Sequence, residues 1–199
     1  MKPVVLVPGL WMPEILMALL AARLASRGYE ARVFAYRGRD TYERNVEALA
    51  RFARDKALFV GHSLGGVLIL DMLTRHPEVA ADAAVLIGAP VRGCFAGRRF
   101  GRAAFGRWMM GASCPVWEER AARWTREGPL GVIAGTLPVG LGRAFGALPG
   151  ENDGVVQVDE TTVDGMTARA LVAQGHSMLI VSERVSALVH RFCSSGSFE

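Results

Sequence analysis

Residues 57–70 read Ala57-Leu58-Phe59-Val60-Gly61-His62-Ser63-Leu64-Gly65-Gly66-Val67-Leu68-Ile69-Leu70. The apolar run Ala57 to Val60 has the length of a buried strand. From Leu64 the chain stays almost wholly apolar for several turns and reads as a helix to His76. Pro77 disfavours helical backbone in the residue before it. Between strand and helix stands Gly61-His62-Ser63-Leu64-Gly65, the pattern G-x-S-x-G. The pattern alone is weak. Set between a strand and a helix, it specifies a sharp turn that lifts the Ser63 hydroxyl out of the sheet edge at a helix N-terminus. Gly61 and Gly65 suit that turn because backbone must pass close to backbone there. The plainer alternative is a glycine-rich turn with an exposed serine.

Working outward, apolar strands alternate with helical patterns. Pro3 to Val7 reads as the first strand. Pro13 suits the first position of a helix reaching about Arg27, with Gly28 as its stop. Glu30 to Tyr36 alternates and reads as a second strand. Asp40 and Glu43 resemble a capping box for a helix to Arg54. Ala83 to Ile87, Val132 to Ala134 and Ala168 to Ala173 are the fourth, fifth and sixth strands. A last helix runs from about Met178 to Phe192, with Ser177 as its cap. Continuous apolar strands joined by helices belong in a parallel sheet covered on both faces. The fold class is therefore α/β: a doubly wound, mostly parallel sheet of about six strands. Functional residues belong at the carboxyl ends of those strands. Two stretches break the rhythm, Val91 to Glu127 and the glycine- and proline-rich Leu137 to Val155.

The whole length resembles the α/β-hydrolase superfamily, and small bacterial serine esterases and lipases within it. The resemblance rests on Pro8-Gly9-Leu10 after the first strand, the turn around Ser63, Asn152-Asp153-Gly154-Val155-Val156, and Gly175-His176, in family order. It implies an acyl-enzyme formed on Ser63. A serine needs a base within hydrogen-bond reach, and the base needs an orienting acid. Four histidines compete for the base. His62 sits inside the turn but points away from Ser63, His76 ends a helix, and His190 reads as solvent-facing on the last helix. His176 lies on a carboxyl-end loop. The family order of serine, acid, histidine puts the acid between Ser63 and His176, and the resemblance of Asn152-Asp153-Gly154-Val155-Val156 to the acid loop of bacterial lipases points to Asp153, with Glu151 and Asp159 behind it. The alternative for Asp153 is an Asx-turn residue before Gly154. The resemblance further implies an oxyanion hole from the N–H groups of Leu64 and Leu10, with Trp11 as the competing second donor. Pro8 replaces the histidine many relatives carry there.

The resemblance also makes residues 91–127 a helical lid over an apolar acyl pocket. Six of the sixteen aromatic residues lie there, and Phe105, Trp108 and Met109 share a helical face. Trp11, Phe105 and Trp108 are thus candidate substrate contacts, with packing as their plainer role. The same stretch holds eight arginines and three acids, whereas the rest of the chain is close to neutral. That charge suits an acidic substrate or an anionic membrane surface, unless the arginines are simply solvated.

With 199 residues, 51% hydrophobic and 21% charged, the chain fits one globular domain, and disordered or low-complexity classes are excluded. Cys94, Cys114 and Cys193 are widely spaced and odd in number, which argues against a disulfide framework or a C-x-x-C metal site. A reducing, cytoplasmic location is expected, since no apolar run approaches the roughly 20 residues of a membrane span. No nucleic-acid motif accompanies the +4 charge. The expected function is cleavage of a small or lipid-like acyl ester with no cofactor and no metal. A thioesterase or acyltransferase would use the same residues. A non-catalytic binding protein on this fold is the remaining class. Sequence assigns neither substrate nor oligomeric state.

Overall fold

The computed structural model describes residues 1–12, 14–36, 40–53, 56–140 and 148–199. Its strands are β1 (Lys2–Val7), β2 (Tyr29–Val33), β3 (Ala57–His62), β4 (Ala81–Ile87), β5 (Leu130–Gly135) and β6 (Ala168–Val172). They form one sheet in the order 2-1-3-4-5-6, with every neighbouring pair parallel. The continuous apolar runs follow from burial on both faces. Val4, Val5, Leu6 and Val7 are all 0% exposed, yet alternate residues face opposite sides.

One side is covered by α1 (Glu14–Ala25), α6 (His176–Val181) and α7 (Glu183–Ser195). Met17, Leu20, Val189 and Phe192 pack there with Leu6, Val60, Val85 and Ile87. The other side carries α2 (Tyr42–Phe52) and α3 (Leu64–Arg75). There Val46, Leu49, Val67 and Met72 pack with Val5, Val7, Phe59 and Leu86. The segment after β4 joins this second face. It contains α4 (Phe95–Arg102), α5 (Ala104–Met110) and a 3-10 helix over Gly111–Trp117, and it buries Trp117 and Trp124. Strand order reverses between β1 and β3, so a crevice opens at their carboxyl ends.

Several expected boundaries move. Thr41, not Asp40, caps α2: its side chain accepts from the Arg44 N–H at 3.3 Å. The strand β2 stops at Val33, although the Phe34 N–H still bonds to the Leu6 carbonyl. The last helix is two helices. Ser182 adopts extended backbone between them and caps α7 through the Val185 N–H, so Ser177 is not the cap. Serine followed by Glu183 is itself a helix-start signal, here within an apolar pattern that ran straight across it. His190 is half-buried, and its Nδ1 meets the Tyr29 hydroxyl at 3.1 Å with its ring edge-on to Tyr29. Within Leu137 to Val155 the described residues form no regular element beyond a single bridge from Asn152 to Gln157. The placements of Pro13 and Arg54 lie outside the described residues, as do 141–147.

Candidate active site

Ser63 follows β3 directly and precedes α3, with φ 53° and ψ −125°. A positive φ in a residue with a Cβ is strained and persists only where surrounding packing dictates it. Its N–H donates to the Ile87 carbonyl of β4 at 2.9 Å. The glycines allow the close approach. A Cβ on Gly61 would stand 2.6 Å from Gly66 backbone, and one on Gly65 would stand 2.1 Å from the Val7 carbonyl oxygen. The Gly9 loop after β1 lies against the same side chain, since a Cβ there would be 3.0 Å from that of Ser63.

His176 begins α6 at the carboxyl end of β6, and its Nε2 lies 3.0 Å from Ser63 Oγ. Its Nδ1 lies 2.7 Å from Asp153 Oδ2. A carboxylate only accepts, so Nδ1 donates, and the Nε2 lone pair faces the serine hydroxyl. Asp153 is 1% exposed, and its Oδ1 accepts from the N–H groups of Val155 and Val156 at 3.0 and 2.7 Å. Asp153 thus makes the contacts of both alternatives at once: one oxygen closes an Asx turn and the other meets the imidazole. A main-chain bond from the His176 N–H to the Asp153 carbonyl, 2.9 Å, fastens the two loops. Glu151 and Asp159 are both exposed.

Two supports go beyond the sequence reading. Gly88, at φ +54°, lies where a Cβ would come within 3.3 Å of both Asp153 Oδ2 and His176 Nδ1. Only its position one residue past β4 could have flagged it. The ring of His62 bonds to His176 and not to Ser63, and it does more than fill space. Its Nε2 donates to the His176 carbonyl at 3.1 Å, and the two rings lie 4.8 Å apart. Burial, and secondarily the neighbouring His176, push its pKa down to about 3, so the ring is neutral. Its Nδ1 is buried without a partner.

The N–H groups of Leu10, Trp11 and Leu64 take no intramolecular partner among the described residues. Trp11 has φ 57° and is 55% exposed. Pro8, Gly9, Leu10 and Trp11, with Met12, Ala35 and Tyr36, line a cavity of about 180 Å³. Phe105 and Trp108 stand outward, 63% and 70% exposed. They reach the loop after β1 through a chain of rings. Trp11 meets Phe100 edge-on at 6.2 Å, Phe100 meets Phe105 at 6.4 Å, and Phe105 stacks on Trp108 at 6.0 Å. No group of three or more metal-ligating side chains occurs among the described residues.

Among solved structures, the fold is similar to that of a meta-cleavage product hydrolase from Pseudomonas fluorescens IP01, with TM-score 0.67 and 16% identity over 98% of this chain and 92% of that one. A pyrethroid hydrolase from Sphingobium faniae JZ-2 superposes with TM-score 0.65 and 14% identity over 98% of each chain. An esterase from Rhodococcus sp. ECU1013 gives 0.61 and 19% over 98% of this chain and 90% of the other. At such identities these likenesses show the fold alone. Among curated proteins, none matches the sequence. The model of the Alpha/beta hydrolase family matches residues 4–187, almost the whole parallel sheet and its helices, and on that match the chain belongs to the alpha/beta hydrolase family.

Proposed function

We propose that the chain is a serine hydrolase cleaving carboxylic esters through an acyl-enzyme on Ser63. One observation carries the reading: the unbroken relay from Ser63 Oγ through both nitrogens of His176 to a buried Asp153, at 3.0 and 2.7 Å. A binding protein would not need a hydroxyl, an imidazole and a buried carboxylate in that order.

His176 Nε2 takes the hydroxyl proton as Ser63 Oγ bonds to the ester carbonyl carbon. Asp153 keeps the proton on Nδ1 and stabilises the imidazolium that forms. The negative carbonyl oxygen is met by the free N–H groups of Leu64, at the start of α3, and Leu10. The C–O bond breaks as His176 hands its proton to the leaving alcohol. Water, deprotonated by the same nitrogen, then releases the acid. The chemistry draws on no cofactor. The cavity beside Leu10 would receive one arm of the ester, and residues 91–127 would form the cover over that edge.

The test is intact mass after exposure to an aryl organophosphonate. Wild type should gain one adduct and Ser63→Ala none, and aryl ester turnover should fall by about 10³-fold or more in that variant. A folded wild-type sample that gains no adduct at Ser63 rules the reading out.

A further inference from the structure

In a parallel sheet, residues just past each strand end share one face of the molecule. Of the eleven exposed large hydrophobic residues described, seven lie just past β1, in the segment after β4, or just past β5 or β6. They include Trp11, Phe105, Trp108, Leu137, Val139 and Met178, from 44% to 70% exposed. This apolar rim shares the sheet edge with Ser63. Scattered exposed hydrophobics are ordinary, but a set confined to one edge marks an interaction surface.

Charge narrows the partner. Residues 83–117 contain five arginines and no acid. Two of the five are tied down. Arg92 bonds to Asp164 and to the Thr162 carbonyl, and Arg98 pairs with Glu119 at 2.9 Å. The other three flank the rings. Arg107 donates to the carbonyls of Gly101 and Arg102, while Arg99 lies over the Phe95 ring. Among the described residues, no carboxylate pairs with Arg99, Arg102 or Arg107. Exposed indole and phenyl rings bounded by unpaired arginines match a surface that is apolar within and negative at its boundary.

We infer that this edge docks on an anionic lipid bilayer, with Phe105 and Trp108 entering the acyl boundary and Arg99 and Arg102 meeting lipid phosphates. The inference rests on the esterase reading for its consequence alone: docked this way, the Ser63 edge faces esters partitioned into the membrane. No helix among the described residues is long and apolar enough to cross a membrane, so the contact is peripheral.

The test is co-sedimentation of the purified chain with phosphatidylcholine vesicles, with and without phosphatidylglycerol. Binding should require the anionic lipid and weaken with salt. Arg99→Gln with Arg102→Gln should lower the partition coefficient about fivefold for each charge removed. Phe105→Ala with Trp108→Ala should lower it about tenfold or more. Melting temperatures near wild type in both double variants show that the fold is retained. Failure to bind, or binding that both double variants retain, overturns the proposal. So does a dimer in sedimentation velocity that the aromatic pair abolishes, because the face would then belong to a second copy of the chain. Phosphonate labelling of Ser63 in buffer is read separately. A chain that labels but does not sediment loses the docking surface alone, and one that sediments without labelling loses the esterase reading alone.

Discussion

His62 is where a single side chain reaches furthest into the proposed chemistry. Its bond to the His176 carbonyl anchors the residue that must meet Ser63, and its neutral ring is enforced by burial. Replacing it with leucine should lower kcat more than it raises KM, because the loss falls on the orientation of the base. A pH effect separates this from mere packing. The folded pKa of about 3 lies below the unfolded value near 6.5, so the unfolded chain binds the extra proton. The resulting stability is full above about pH 6.5 and is lost as pH falls toward about 3, at up to about 1.4 kcal/mol per pH unit. The stability difference between wild type and His62→Leu should therefore shift steadily against wild type from pH 7 to pH 5 in urea titrations. A constant difference would contradict a buried neutral histidine. His76 is a useful contrast. Glu78, then Glu47, raise its pKa, so whatever it contributes is present at low pH and lost as pH rises, in wild type and variant alike. Gly88 makes a second prediction at this scale. A Cβ there would crowd both Asp153 Oδ2 and His176 Nδ1 at a φ that alanine resists. Gly88→Ala should slow phosphonate labelling by tenfold or more while costing about 1–2 kcal/mol of stability.

Elements are joined here more by arginine than the sequence suggested. The positive excess of residues 91–127 read as one field, but half of those arginines are fasteners. Arg120 forms a two-pronged pair with Asp71 of α3, at 2.7 and 3.0 Å, and Asp71 also accepts from the Tyr42 hydroxyl of α2. Arg126 donates to the carbonyls of Leu73, in the last turn of α3, and of Val79 beyond it. Removing Arg120 leaves a mostly buried carboxylate beside an aromatic hydroxyl. Arg120→Ala should cost about 2–3 kcal/mol, and Arg120→Ala with Asp71→Asn should cost less than the two changes summed. Additive losses in denaturant titrations would mean that the pair contributes no coupling. Such fasteners were illegible because composition counts charges and not their partners. Aromatic residues of the same stretch divide likewise, with Trp117 and Trp124 inward and Phe105 and Trp108 outward. The sheet was legible because strands buried on both faces carry apolar residues at every position. The relay of Ser63, Asp153 and His176 was legible as a candidate because each stands in a short, chemically specific string. The break at Ser182 was not, since the apolar spacing of α6 and α7 runs through it, and Gly88 was not, since its demand comes from residues far along the chain.

At the scale of the whole molecule, the two apolar clusters are opposite faces of the same six strands. Each central strand contributes alternate side chains to both, as Val4 and Leu6 do on one side and Val5 and Val7 on the other. Neither cluster can lose its packing without unseating the strands that build the other. The segment after β4 is tied into this unit, because Val91, Trp117 and Trp124 belong to the second cluster. The reversal of strand order that opens the crevice beside Ser63 is thus held by the entire core. We therefore expect residues 1–199 to unfold as one cooperative domain, residues 91–127 included. Far-ultraviolet circular dichroism and tryptophan fluorescence should give coincident transitions, since three of the four tryptophans, Trp108, Trp117 and Trp124, lie in that segment. Calorimetric and van't Hoff enthalpies should agree, near about 140 kcal/mol at 60 °C for a chain of this length. A fluorescence transition that precedes the loss of secondary structure would show that segment melting first. Residues 91–127 would then form a separate unit laid over a sheet that is stable without it.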